Sequence, residues 1–149
     1  MSRWTEADIK KMNPVSKASF ERQSKKVSHT YLGQSVWLQN PNITANMTEE
    51  NPRDGRPWFR KEVQDLLKVL GYDFYHTENS VKSRSGFPDL VIWHEARKIS
   101  AFFAELKSNK GSLTMDQKIM HQTLRGAGST VHIWRPKDWS EIVTTLWPS

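Results

Sequence analysis

Two apolar runs, "FPDLVIW" and "ISAFFAELK", stand apart by only the five residues "HEARK", all polar but Ala96. Runs this short, rich in Phe, Ile and Val and joined by a polar turn, predict two adjacent strands paired as a hairpin. In the second run Ile99, Ala101, Phe103, Glu105 and Lys107 alternate with Phe102, Ala104 and Leu106. Both faces are mostly apolar, so this strand is expected at the centre of a sheet. Its end is anomalous, because Glu105 and Lys107 point the same way at the edge of a core. Asp89 opens the preceding run, just after the bend at Gly86-Phe87-Pro88. A hairpin closed by "HEARK" sets residues near 89 opposite residues near 103 to 105, which brings the carboxylates of Asp89 and Glu105 together.

The flanking sequence predicts what surrounds the hairpin. Phe59, Val63, Leu66, Leu67 and Leu70 recur at helical spacing from Trp58, and Gly71 supplies the stop. "YDFYHT" reads as a strand, Met115 to about Ala127 as a helix closed by Gly128, and "TVHIW" as a last strand. A final helix is expected near Asp138, with Glu141 completing a capping box. The order is α-β-β-β-α-β-α, a small mixed α/β sheet flanked by helices. Residues 1–50 differ. Apart from a short helix over "TEADIKKM" they lack sustained periodicity and read as an extended or irregular arm, a candidate assembly or substrate-recognition element, with the domain proper over 51–149. Phe20, Tyr31 and Trp37 in this stretch are expected to dock on the chain's own core.

Composition narrows the chemistry. The 149 residues contain no cysteine, which excludes disulfides, thiolate zinc sites and Cys nucleophiles. No apolar run is long enough for a membrane span, and the polar N-terminus is not a signal peptide, so a cytoplasmic protein is expected. There is no P-loop, hence no nucleotide cofactor. The formal net charge of +6 favours a polyanionic partner without requiring one.

Two carboxylates held a few ångströms apart repel and favour a divalent cation between them. Hard oxygen donors suit Mg²⁺ or Mn²⁺. Lys107 beside such a cation would hold or help deprotonate a water and stabilise developing charge. Singly, each residue has an ordinary reading, with Asp89 capping a turn and Glu105 and Lys107 forming an ion pair. Three charged groups converging on one strand edge favour a functional site.

The segment "GFPDLVIW…FFAELKSNKGSLTMDQKIMHQTLRGAGSTVHIWRPKDW" resembles the PD-(D/E)XK nuclease superfamily, and within it the VRR-NUC branch found in many phage proteins and DNA-repair nucleases. Gly86, Pro88-Asp89 and Glu105-Leu106-Lys107 carry the motif, and the likeness covers about residues 56 to 147. It implies a restriction-endonuclease-like core and a metal-dependent DNA endonuclease, commonly dimeric, in a bacterial or phage-infected host cell. Asp89 and Glu105 would be metal ligands, the Leu106 backbone carbonyl would complete the shell, and Lys107 would position or activate water. Gln117 matches a Gln near the active site, although Thr114-x-x-Gln117 is equally a capping box.

The pattern fails at one point. The family usually carries a Glu early in its first helix, and here that position falls near Arg56. The substitute would be Glu62 after a register shift, or Glu49, Glu50 or Asp54 on the preceding segment; otherwise the ligand is missing. Around the site, His76, Ser80, Lys82, Arg84 and Ser85 form a polar basic approach suited to phosphate oxygens, with Lys110 and Arg135 as further candidates. His76 has a structural reading as well, and Arg135 an ion-pair one. The sequence thus points to a divalent-metal-dependent nuclease for branched, flapped or junction DNA. The rival is a DNA-binding module that keeps the fold without cutting.

Overall fold

The computed structural model describes residues 33–77 and 84–149. The expected helix over "TEADIKKM", Phe20, Tyr31, Ser80 and Lys82 lie outside them. Four strands form one sheet: β1 (Asp73–His76), β2 (Leu90–His94), β3 (Ile99–Leu106) and β4 (Val131–Trp134). They stand in the order β1-β2-β3-β4; the first two pairings are antiparallel and β3 pairs with β4 in parallel. The parallel step needs a crossover, and the helix Met115–Gly126 supplies it. The remaining helices are α1 (Gly33–Leu38), α2 (Phe59–Val69) and α4 (Trp139–Leu146), the crossover being α3. Among the described residues no helix is long and apolar enough to cross a membrane.

One face of the sheet carries the main core. Phe59, Val63, Leu66 and Leu67 of α2 meet Leu90, Ile92, Ala104 and Leu106 of the hairpin, and Trp139, Ile142, Val143 and Leu146 of α4 close the layer. α2 ends where expected, at Gly71 with φ +79°. Of β3, only the last three residues are fully buried, while Ser100 and Ala101 are exposed. The strand is central in order, yet its first half runs out towards solvent. The charges at its other end therefore lie in its best-buried part.

Two local expectations are corrected. Asp138 does not cap α4 through its side chain; its carboxylate accepts the Arg135 N–H at 3.0 Å, stabilising a 3₁₀ turn over Pro136–Asp138 that precedes the helix. The stretch expected to be irregular contains α1, six residues with too few turns to show a period. Trp37 in α1 docks on the core as expected: its carbonyl accepts the Trp139 indole N–H at 2.6 Å, and Met47 enters the core cluster.

Glu62 ties this N-terminal layer down. It is 5% exposed, and its two oxygens accept from the side-chain amides of Asn40 (2.9 Å) and Asn42 (3.0 Å). Hydrogen bonds to a charged group contribute about 1.5–3 kcal/mol each, and both are lost in Glu62→Ala. We expect that variant to lower unfolding free energy in urea by about 2 kcal/mol, since the exposed amides regain water, while cleavage persists.

Candidate active site

The hairpin register sets Leu90 against Ala104, so Asp89 at the mouth of β2 lies beside Glu105. Asp89 is held there by two neighbours in the chain. Pro88 is buried, and the Leu106 N–H donates to Asp89 Oδ2 at 2.7 Å. Before it, Gly86 has φ +82° and packs directly on the first turn of α3. A Cβ at this position would lie 2.3 Å from the Asp116 carbonyl oxygen. The Gly-x-Pro-Asp spacing thus has a physical basis: left-handed backbone, zero clearance, a rigid turn, then the carboxylate.

Glu105 is 1% exposed and meets its neighbours from three directions. Gln117 Nε2 donates to Oε1 at 2.8 Å, Lys107 Nζ stands 3.7 Å from the same oxygen, and His121 Nε2 lies 3.6 Å from Oε2. The two alternatives for Gln117 hold at once. Its Oε1 accepts the Thr114 N–H at 2.9 Å to complete the capping box, which leaves its NH₂ end for Glu105.

The electrostatics are those of a crowded acid pair. Burial, followed by the charge of Asp89, pushes the Glu105 carboxyl up to about 8, against the pull of Lys107. Asp89 is also held above the usual carboxylate range, chiefly by burial, although the Leu106 N–H and Lys107 oppose the shift. A third carboxylate acts on both: Glu49 raises each of them through its charge. Its Oε1 accepts the Ser108 N–H at 3.0 Å, and the backbone of its segment caps α2, with Thr48 and Glu49 carbonyls accepting from Phe59 (2.8 Å) and Arg60 (3.0 Å). Of the acidic residues on or before the first helix, Glu49 is the one whose charge acts on the pair. Glu62 does not join the cluster, being taken up by Asn40 and Asn42. Glu50 pairs with Arg60, and Asp54 with Arg56.

The family model of the VRR-NUC domain matches residues 41–137, well over half of the chain, and takes in the whole Asp89–Glu105–Lys107 site together with Glu49. The chain belongs to the VRR-NUC family. Searches of curated proteins and of solved structures found no match. Membership makes this a PD-(D/E)XK-like nuclease domain, whose substrate is DNA, and the four-stranded mixed sheet with flanking helices agrees with a restriction-endonuclease-like fold. Nucleases of this kind typically use divalent metals.

The VRR-NUC site brings Asp89, Glu105, Lys107 and Gln117 together; the outer residues are more dispersed. The Ser85 hydroxyl donates to Asp116 at 2.5 Å, and exposed Arg84 lines the same shallow hollow. The Arg135 Nη1 donates at 2.6 Å to the carbonyls of Ser108 and of Gly111, so it braces the loop leaving β3. His76, at the end of β1, faces Arg60 Nη1 at 2.9 Å from Nε2. Lys110 is exposed. His121 was missed by sequence reasoning. The available signal was its position one helical turn beyond Gln117, on the face that meets Glu105.

Proposed function

We propose that the chain is a Mg²⁺- or Mn²⁺-dependent deoxyribonuclease whose ligands are Asp89 and Glu105, with Glu49 adding negative charge beside them. The observation that carries the reading is buried Glu105 beside half-buried Asp89, with Lys107 against them. Hard oxygens, an excess of negative charge and a buried Glu105 Oε2 with no hydrogen-bond partner are what a hard divalent cation satisfies. Among the described residues no three acidic, imidazole or thiolate groups are placed to hold one metal ion, so Asp89 and Glu105 are the candidate ligand pair and Glu49 acts on them through its charge. An open set suits Mg²⁺, which keeps several waters. The Leu106 carbonyl is a further candidate ligand, since in an extended strand it leaves on the same side as the N–H that reaches Asp89.

A cation bound there would acidify water and draw charge from the scissile phosphate. The chain's own residues do the rest. Leu106 N–H orients Asp89, Gln117 orients Glu105, and Glu105 holds the Lys107 ammonium, 12% exposed, at the site edge. From there Lys107 can donate to the attacking water and to the oxygen on which charge grows. Arg84 and Lys110 lie exposed for phosphate contacts. The preference for branched DNA and assembly as a homodimer rest on the family resemblance.

The test is cleavage of linear duplex, single strand, flap and four-way junction, each with Mg²⁺, Mn²⁺ or EDTA. We expect metal-dependent cutting with the branched substrates preferred. Tight binding with no cutting in either metal would instead identify a non-catalytic DNA-binding module.

The acid pair also predicts how stability depends on pH. Between the ordinary Glu value of 4.5 and about 8, folded metal-free protein holds a proton that the unfolded chain has released. Its contribution to stability is full below 4.5 and lost as pH rises through about 8. The melting temperature in EDTA should therefore fall across this window. Mg²⁺, which competes with that proton, should raise it most at the alkaline end. A Glu105→Gln protein with the same slope as wild type would remove the pair as its cause.

A further inference from the structure

His121 is 1% exposed, and neither of its ring nitrogens has a hydrogen-bond partner. Glu105 Oε2, 3.6 Å from its Nε2, is a buried polar atom with no hydrogen bond either. Two unpaired polar groups facing each other inside a protein are costly, and a leucine at this point of α3 would fill the space without that cost. Position 121 lies one turn after Gln117, so both side chains descend from the same helix face onto the same carboxylate. Gln117 already holds Oε1 at 2.8 Å, and only Oε2 is left unsecured.

We propose that His121 is a positioning residue that donates from Nε2 to Glu105 Oε2 and, with Gln117, clamps the carboxylate at both oxygens for cation binding. The inference rests on the metal-dependent reading above. The 3.6 Å separation lies just beyond hydrogen-bond reach, and a small rotation of either side chain closes it. An imidazole carries at least one N–H whether neutral or charged, which is all the contact needs. Groups that orient a ligand in this way typically set metal affinity or activity by about 10- to 100-fold.

The experiment is Mn²⁺ titration of the full chain without DNA, following free Mn²⁺ by electron paramagnetic resonance, beside melting of each protein in EDTA. His121→Leu should melt at or above wild type in EDTA, having lost two buried ring nitrogens without partners, yet bind Mn²⁺ about tenfold more weakly. His121→Gln, which keeps an N–H near the Nε2 position, should recover most of that affinity. If His121→Leu does not fold, His121→Met serves as the donor-free variant. A folded donor-free variant with wild-type affinity, or a Gln variant as weak as the donor-free one, overturns the clamp. Absence of Asp89-dependent Mn²⁺ binding in wild type overturns the metal reading itself, and the two failures are separable.

Discussion

Lys107→Ala is expected to lower the rate constant for phosphodiester cleavage by about a thousandfold, with DNA affinity nearly unchanged. The ammonium is one charge among many on a basic chain, so removing it costs little in phosphate attraction. What it supplies is local: a donor at the edge of the acid pair, beside buried Glu105, where charge is weakly screened. Its removal also takes away the cation that opposes the upward shift of Glu105, so protons compete better with metal at neutral pH. Single-turnover cleavage at saturating Mn²⁺, across a range of pH, separates the effects. If high pH and high Mn²⁺ restore the full rate, Lys107 acts only by tuning Glu105. If the deficit persists, its N–H groups act on the water or the phosphate. Lys107→Arg adds a check, because a guanidinium keeps the charge but cannot reproduce the compact ammonium geometry. Wild-type turnover in Lys107→Ala would exclude it from the chemistry.

The hairpin and the acid pair were legible because local rules govern them. Two alternating runs and a short polar turn leave little freedom, and the pairing of Leu90 with Ala104 follows. α2 is legible through apolar spacing and a Gly stop, and α3 through its N-terminal lead and the Gly128 stop. Glu49 was harder. It reaches Ser108 across 59 residues from a segment with no periodicity, so sequence could name it only as one of several acidic candidates. α1 is too short to carry a period, and its docking depends on a distant indole. From sequence, Ser85 is expected at phosphate and Arg135 either at phosphate or in an ion pair, because a polar side chain near an anionic substrate invites it. Their donors instead reach Asp116 and two loop carbonyls. Gln117 illustrates the opposite lesson. The alternatives seemed exclusive only because a capping box and a site contact are usually counted as single roles, whereas an amide has two ends.

Gly86→Ala should disable the site from a distance. Two independent costs meet at this position. With φ +82° the backbone lies where a Cβ is disfavoured by about 1–2 kcal/mol. The added methyl would also sit 2.3 Å from the Asp116 carbonyl oxygen and 2.7 Å from the Gln117 nitrogen, and these are backbone atoms that no rotamer change can move. Overpacking of this kind costs about 1–3 kcal/mol more, so urea unfolding should show a loss of about 3 kcal/mol in all. The relaxation also has only two directions. Either the first turn of α3 shifts, disturbing the Thr114–Gln117 box and the grip on Glu105, or the turn before Pro88 shifts and carries Asp89 with it. Both spoil carboxylate geometry, and a displacement of about 1 Å is enough to cost about a hundredfold in rate. Gly126→Ala is the matched control, since nothing lies within 4 Å of a Cβ there and its helical backbone accepts alanine. It should be neutral or slightly stabilising, and fully active. A Gly86→Ala protein that keeps wild-type stability and cleavage would mean that the turn has slack, and that Asp89 is placed by the Leu106 N–H and the hairpin register alone.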